Sequence, residues 1–146
     1  MANEKVQNFA NHARTFPPFH FFVLPVLLVN AIYRLVLLKD GITFASVMAA
    51  LVGLALLVLA FCARVFAMTV QDRIIRLEMQ IRLARLLPAD LRPRIDEFAV
   101  GQLIALRFAG DDELPALARQ VLDEKLTDRK AIKGRVKNWR ADLLRA

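Results

Sequence analysis

The first half of the chain contains two long apolar stretches separated by a very short polar link. Residues 19–38 and 42–63 are almost wholly apolar, and the only formally charged residues between positions 19 and 63 are Arg34, Lys39 and Asp40. Each stretch is long enough to cross the ~30 Å hydrocarbon core of a bilayer as a helix. Because only residues 39–41 separate them, the pattern predicts an antiparallel transmembrane hairpin that turns at Gly41.

Two other interpretations of these stretches fit the pattern less well. A buried helical pair in a soluble protein would need a large surrounding core, which a chain of 146 residues does not supply. A cleaved signal peptide has a shorter apolar region, and residues 1–18 hold only Lys5 and Arg14 as fixed positive charges. We therefore expect both stretches to be retained spans.

Helical periodicity continues beyond the second span. Residues 64–87 are rich in helix formers and lack Gly and Pro, which predicts that the second helix extends as a stalk. The stalk carries two apolar stripes on nearly opposite faces: Val70, Ile74, Leu77, Ile81 and Ala84 on one, and Ile75, Met79, Leu83 and Leu86 on the other. A surface helix needs only one stripe. Either a second protomer or partner covers one of them, with Ile74, Leu77 and Ile81 as candidates for association, or the chain's own helices cover both.

Three further helices are expected after the breaks at Pro88 and Pro93: residues 95–108, a second helix capped by Asp111 or Asp112, and a last helix at 128–145. The last helix is predicted to be amphipathic, with a basic flank made of Arg129, Lys130, Lys133, Lys137 and Arg140. Its apolar stripe is expected to pack on the domain core while the charges face water. Two alternatives remain open: contact with anionic lipid, and, less favoured, a helix-turn-helix that binds nucleic-acid phosphates.

Charge asymmetry predicts the orientation. The chain carries a formal net charge of +7, and residues 64–146 hold 17 Lys and Arg against 12 Asp and Glu, whereas the turn has a single Lys. The positive-inside rule then places both termini in the cytoplasm.

The predicted fold is all-α, with an N-terminal interfacial segment (1–18), a transmembrane hairpin (19–63), a cytoplasmic stalk (64–87) and a small cytoplasmic helical domain (88–146).

Polar and small residues in and near the spans indicate packing rather than ligand binding. Asn30 lies near the middle of the first span, and Ala45, Ala49 and Gly53 recur every fourth residue in the second, a spacing that lets another backbone approach closely. We expect Asn30 to form hydrogen bonds within the hairpin or across an oligomer. His12 and His20 fall at the predicted interface, where aromatic and basic groups are favoured. Metal or haem binding by the two histidines is the alternative.

No arrangement of residues indicates catalysis. The chain has no Gly-rich phosphate loop, Ser46 is its only serine, and Cys62 is its only cysteine and lies in an apolar run. We expect no catalytic, cofactor-binding or metal-binding residues. The predicted function is association with further copies, a protein partner or anionic lipid. A membrane-tethered nucleic-acid binder and a subunit of an oligomeric pore or transporter are the alternatives.

Three segments carry a family resemblance: QNFANHARTFPPFHF near the N-terminus, and QLIALRFAGDDELPAL and IKGRVKNWRADLLR near the C-terminus. Together they resemble an uncharacterised bacterial family of small membrane proteins, a domain of unknown function with two predicted spans. The resemblance covers nearly the whole chain. It implies a bacterial inner-membrane protein, and it implies no activity, ligand or residue role.

Overall fold

The computed structural model describes residues 7–9 and 15–142, and all regular secondary structure in these ranges is helical. The expected all-α class is therefore confirmed. The chain divides into two compact units, one made of Thr15–Thr69 and the other of residues from Val70 onward together with the N-terminal segment that includes Gln7. Residues 70–87, the larger part of the predicted stalk (64–87), belong to the same compact unit as residues 88–142.

The first unit contains the two apolar stretches as helices. A π-helical turn, Phe19–Val23, leads into α1, Leu24–Leu37, and a 3-10 turn, Leu38–Asp40, follows it. Gly41 has a φ of 155°, a value that L side chains rarely adopt, which explains a glycine at this link. The helix α2 then runs without a break over Phe44–Leu86, so the predicted helical continuity past residue 63 is confirmed. Both apolar helices are long enough to cross a membrane by length and composition.

Reciprocal hydrogen bonds begin α2. The Thr43 backbone N–H donates to Ser46 Oγ at 2.8 Å, and the Ser46 N–H donates back to Thr43 Oγ1 at 3.0 Å. This arrangement satisfies backbone donors that the first turn of a helix leaves without partners. The only serine in the chain therefore has a clear structural role.

Close packing between α1 and α2 occurs at Gly53. A Cβ atom added there would lie 3.2 Å from the side-chain nitrogen of Asn30 and 3.5 Å from Cα of Ala31. Ala31 and Ala50 are also buried, whereas Ala49 is half-buried and Ala45 is exposed. Gly53 therefore serves contact within the chain, beside the Asn30 side chain. The expected hydrogen bond of Asn30, within the hairpin or across an oligomer, stays a prediction.

The second unit is built from the C-terminal half of α2 and three short helices. A 3-10 segment, Arg92–Glu97, precedes α3, Val100–Leu106; α4 is Leu114–Asp123 and α5 is Arg129–Gly134. Its core contains residues from every helix: Ile75, Met79 and Leu83 from α2, Leu103 and Leu106 from α3, Leu114, Leu117 and Val121 from α4, and Ile132 from α5. The predicted helix 95–108 is shorter than expected, because Phe98 and Ala99 are extended and Gln102 joins Ala99 N–H to the Leu126 carbonyl.

The predicted helix 128–145 is wrong in its extent, since α5 ends at Gly134. Backbone groups after it pair with the segment that follows α3: Gly110 N–H donates to the Asn138 carbonyl at 2.8 Å, and Arg140 N–H donates to the Phe108 carbonyl at 2.7 Å. These bonds replace the i→i−4 bonds of a helix. The Trp139 ring stacks on Phe108 with centroids 4.5 Å apart. Residues 143–146 lie outside the described part of the chain.

Within the second unit, Arg82 joins the C-terminal half of α2 to the segment after α3 through a buried guanidinium. Its side chain, 9% exposed, donates from Nη1 to the Arg107 carbonyl at 3.1 Å and from Nη2 to the Ala109 carbonyl at 2.6 Å. The Nε group donates to Asp111 Oδ1 at 2.8 Å, and this bond holds the pKa of the Asp111 carboxyl below its usual range. Carbonyls just past the end of a helix favour a cation, and a bidentate guanidinium fits them better than an ammonium.

Replacing Arg82 with Met should destabilise the second unit. The change keeps much of the side-chain volume but leaves two carbonyls in a buried region without a donor, at a cost of about 1–3 kcal/mol for each. The unfolding midpoint of the protein in mild detergent, followed by the fluorescence of Trp139, should fall. Arg76→Met, at an exposed position of the same helix, is the matched control and should leave the midpoint unchanged. Equal midpoints for the two variants would contradict the role of Arg82.

Replacing Gly53 with Leu should disrupt the packing of α1 on α2, because the larger side chain would overlap Asn30 and Ala31. Overpacking of this kind costs roughly 1–3 kcal/mol. Ala45→Leu, at an exposed position of the same stripe of small residues, should be tolerated. Thermal unfolding in detergent followed by circular dichroism compares the two variants, and a Gly53→Leu protein as stable as Ala45→Leu would show that this contact is not close.

Candidate functional site

The most prominent surface feature of the second unit is an exposed apolar stripe on α2. Val70, Ile74, Leu77 and Ile81 are 55%, 50%, 61% and 63% exposed. On the opposite side of the same helix, Ile75, Met79 and Leu83 are no more than 5% exposed. The two stripes predicted from the sequence are therefore present on one helix, and among the described residues the chain covers only one of them.

The exposed stripe is large enough to matter energetically. Fully burying one Val, Leu or Ile side chain is worth about 1.5–3 kcal/mol relative to leaving it in water. Contiguous exposed apolar surface of this kind marks contact sites more often than scattered single residues do. Ile74, Leu77 and Ile81, the residues singled out from the sequence, all lie on this surface.

The basic residues expected on one helical flank are divided between different surroundings. Arg129, Lys130 and Lys133 belong to α5, whereas Lys137 and Arg140 follow it in the irregular segment. Lys133 Nζ lies 5.2 Å from the centre of the Phe108 ring. Arg140 Nη1 lies 3.4 Å from Asp111 Oδ1. The predicted continuous basic face of a single helix is therefore wrong, because the last helix ends before Lys137.

The described part of the second unit contains an arginine-lined cleft of about 560 Å³. Four guanidinium groups line it, those of Arg82, Arg85, Arg107 and Arg140, together with Glu78 and Asp142. Carboxylates already pair with most of these cations: Arg82 and Arg140 with Asp111, and Arg107 with Asp142 at 2.9 Å. The cleft is thus a network of internal ion pairs.

Three consecutive acids have three different partners: Asp111 and Asp112, one of which was expected to cap a helix, and the neighbouring Glu113. Asp111 pairs with Arg82, and Asp112 accepts a hydrogen bond from Asn138 Nδ2 at 2.6 Å. The Glu113 carboxylate accepts from the backbone N–H groups of Lys137 and Asn138, both at 3.0 Å. Neither Asp111 nor Asp112 is the N-cap of α4; the N-cap is Glu113, whose side chain does not cap the helix. Together these carboxylates hold the C-terminal segment.

Gln7 joins the N-terminal segment to the C-terminal segment within the second unit. Its amide oxygen accepts from the Asp142 backbone N–H at 2.8 Å, and its amide nitrogen donates to the Asp142 carbonyl at 3.2 Å. Trp139 Nε1 donates to the same oxygen at 3.5 Å. A residue that precedes the first apolar helix therefore contacts residues that lie well beyond the second.

His20, one of the two histidines considered as metal or haem ligands, contacts residues that lie close to it in the sequence. His20 Nδ1 lies 2.9 Å from the Phe16 carbonyl, and its ring packs edge-on against Phe19. His12 falls outside the described residues, and Cys62 is half-buried. In the ranges 7–9 and 15–142, no three His, Cys, Asp or Glu side chains gather in a way that could hold a metal ion. The expectation that the chain binds no metal or cofactor stays a prediction.

The long-range contacts of Arg82, Glu113 and Gln7 were not predicted from the sequence. In the sequence pattern Arg82 falls among the polar residues between the two stripes. Its spacing of three residues from Met79 and four from Leu86 places it on the covered stripe, and that periodicity could have identified it. Glu113 and Gln7 act on residues 24 to 135 positions away, and no local pattern signals such contacts.

Comparison with known proteins gives a family but no assigned activity. No curated protein and no solved structure matches the chain. The family model that does match is described as a family of unknown function, and it covers residues 1–146. By this match over its full length, the chain belongs to the family of unknown function DUF6526.

Proposed function

We propose that this chain is a non-enzymatic integral protein of the bacterial inner membrane, with two spans and both ends in the cytoplasm, that acts by associating with further copies of itself. The observation that carries the proposal is the apolar stripe of Val70, Ile74, Leu77 and Ile81, which stays exposed while the opposite stripe is buried. Such a surface on the membrane-proximal part of a tethered protein calls for a protein partner.

Exposure along the two apolar helices supports insertion in a membrane. In the most apolar 18-residue stretch of each helix only 6% and 17% of the residues are buried, whereas the core helix of a soluble protein is mostly buried. Large side chains such as Phe21, Phe22 and Val29 are more than 60% exposed. In water each would be costly, whereas hydrocarbon solvates them well.

The Gln7 contact supports retention of the first span and a hairpin arrangement. Gln7 precedes α1, and Asp142 lies far beyond α2, yet the two residues form two hydrogen bonds. A chain whose ends meet on one side must cross the bilayer an even number of times. Removal of the first apolar helix by a signal peptidase would also remove Gln7 from the second unit.

The excess of Lys and Arg after residue 63 favours the cytoplasm for this side. Anionic headgroups are a second proposed partner there. Lys130 and Lys137 are exposed and belong to a unit with an excess of positive charge, and each Lys or Arg near an anionic surface contributes about 1 kcal/mol. This contribution would orient the second unit on lipid but does not remove the exposed stripe from water.

The proposed topology predicts a labelling pattern for single cysteines introduced into a Cys62→Ser protein. A cysteine at Asp40, in the short link, should react with a membrane-impermeant thiol reagent in intact cells. A cysteine at Thr127, exposed in the second unit, should react only after the cells are permeabilised. The reverse pattern would invert the topology, and labelling of both sites in intact cells would exclude a hairpin.

The proposed association predicts that two carboxylates on the stripe will reduce it. Ile74→Glu combined with Ile81→Glu should lower the mass of the protein in mild detergent toward that of a monomer, because burying unpaired charges is costly. Arg76→Glu makes the same change in net charge at an exposed position off the stripe and should leave the mass unchanged. Light scattering measures the mass of each protein, and a wild-type monomer would refute the proposal.

A further inference from the structure

The spacing of the exposed stripe carries information about its partner. Val70, Ile74, Leu77 and Ile81 follow one another at intervals of four, three and four residues, and Ala84 comes three residues later. This is the a/d pattern of a heptad, with Ile74 and Ile81 at a and Val70, Leu77 and Ala84 at d. β-Branched residues at a and Leu at d favour parallel two-stranded coiled coils.

We infer that residues 70–84 pair with the same residues of a second copy of this chain as a parallel, in-register, two-stranded coiled coil. The inference rests on the proposed function and deepens it, because it names the geometry and the number of copies. The stripe is self-complementary: identical positions meet across a two-fold axis parallel to the helices, so the same four exposed side chains are buried on both copies.

The covered side of α2 occupies the heptad positions that such a pair leaves free. Ile75 and Arg82 fall at b, Leu83 at c and Met79 at f, and all four are buried in the second unit of their own chain. Positions b, c and f face away from the a/d contact in a two-stranded coiled coil. The helix can therefore hold its own domain on one side and a second copy on the other without competition.

The residues that flank the stripe have complementary charges in this register. Arg73 occupies g, and Glu78 occupies e of the following heptad. In a parallel pair a g side chain meets the e side chain five residues further along the other helix, so Arg73 would meet Glu78 of the second copy, twice by symmetry. Within the described part of the chain neither residue forms an ion pair, and both are exposed. An antiparallel pair joins g to g and e to e, which would leave these charges apart.

Membrane insertion compensates for the short length of the contact. Two heptads are fewer than the three or four that usually define a coiled coil in isolation. Copies held in one bilayer with one topology have parallel α2 helices from the start. Confinement also raises their effective concentration, as linking binding modules does.

Disulfide formation between identical positions tests the register. Single cysteines are introduced into the full-length Cys62→Ser protein and oxidised in native membranes with copper phenanthroline. Leu77→Cys, at d, should form a disulfide-linked dimer several-fold more than Arg76→Cys, its exposed neighbour at c. Ile74→Cys, at a, is a second core position, and it keeps the test valid if Leu77→Cys does not fold.

Charge exchange tests the direction of the pair in the Leu77→Cys protein. Arg73→Glu alone and Glu78→Arg alone should each lower the disulfide yield, since each places like charges at both g–e contacts. The double variant should restore the yield, because it exchanges the two charges without changing their sum. Failure of the double variant to restore it would overturn the parallel register.

Mass measurement on the same samples separates this inference from the proposed function. An oligomer that gives no more disulfide at Leu77→Cys and Ile74→Cys than at Arg76→Cys would overturn the coiled coil and leave self-association standing. A monomer would overturn both. A dimer by mass, with preferential disulfides at both core positions and restoration by charge exchange, is the expected result.

Discussion

The guanidinium of Arg82 ends in a buried region of the second unit, between the carbonyls of Arg107 and Ala109 and beside the carboxylate of Asp111. Because this buried guanidinium donates to both carbonyls, it favours the side of α2 that carries Arg82 as the side that faces the short helices. Ile75, Met79 and Leu83 follow it into the core. The opposite stripe is exposed as a direct consequence, and the association proposed for the protein depends on that outcome.

The C-terminal segment is held by hydrogen bonds and ion pairs more than by apolar burial. Glu113 binds two of its backbone N–H groups, Asp112 binds Asn138, and Gln7 binds both backbone groups of Asp142. Among the residues of this segment that the structure describes, Trp139 stacks on Phe108 and Val136 packs against the core. Hydrogen bonds to charged groups contribute more than neutral ones, so a short irregular segment can be ordered without a core of its own.

Charge pairing in the arginine-lined cleft also bears on function. A cleft with four guanidinium groups would attract phosphates if those groups were unpaired, yet Asp111 and Asp142 pair with three of them. Leaving a buried charge without its partner is costly, so an incoming anion would have to displace an internal carboxylate. The stripe on α2, by contrast, has no competing contact among the described residues. For this reason the apolar surface supports a functional proposal better than the cleft does.

The amino-acid sequence by itself determined the helical class, the two long apolar helices, the unbroken run of α2 and the two opposed stripes on it. These features depend on hydrophobicity and helical period, which neighbouring residues set. Tertiary structure alone decided which stripe is covered, where the last helix ends and what Gly53 packs against. Those outcomes depend on contacts between distant residues, such as Arg82 with Asp111 and Gln7 with Asp142. The free energy of such contacts depends on tertiary geometry, which no local sequence pattern contains. After Gly134 these contacts outweigh helical propensity, and backbone hydrogen bonds to residues 108–110 replace the expected helix.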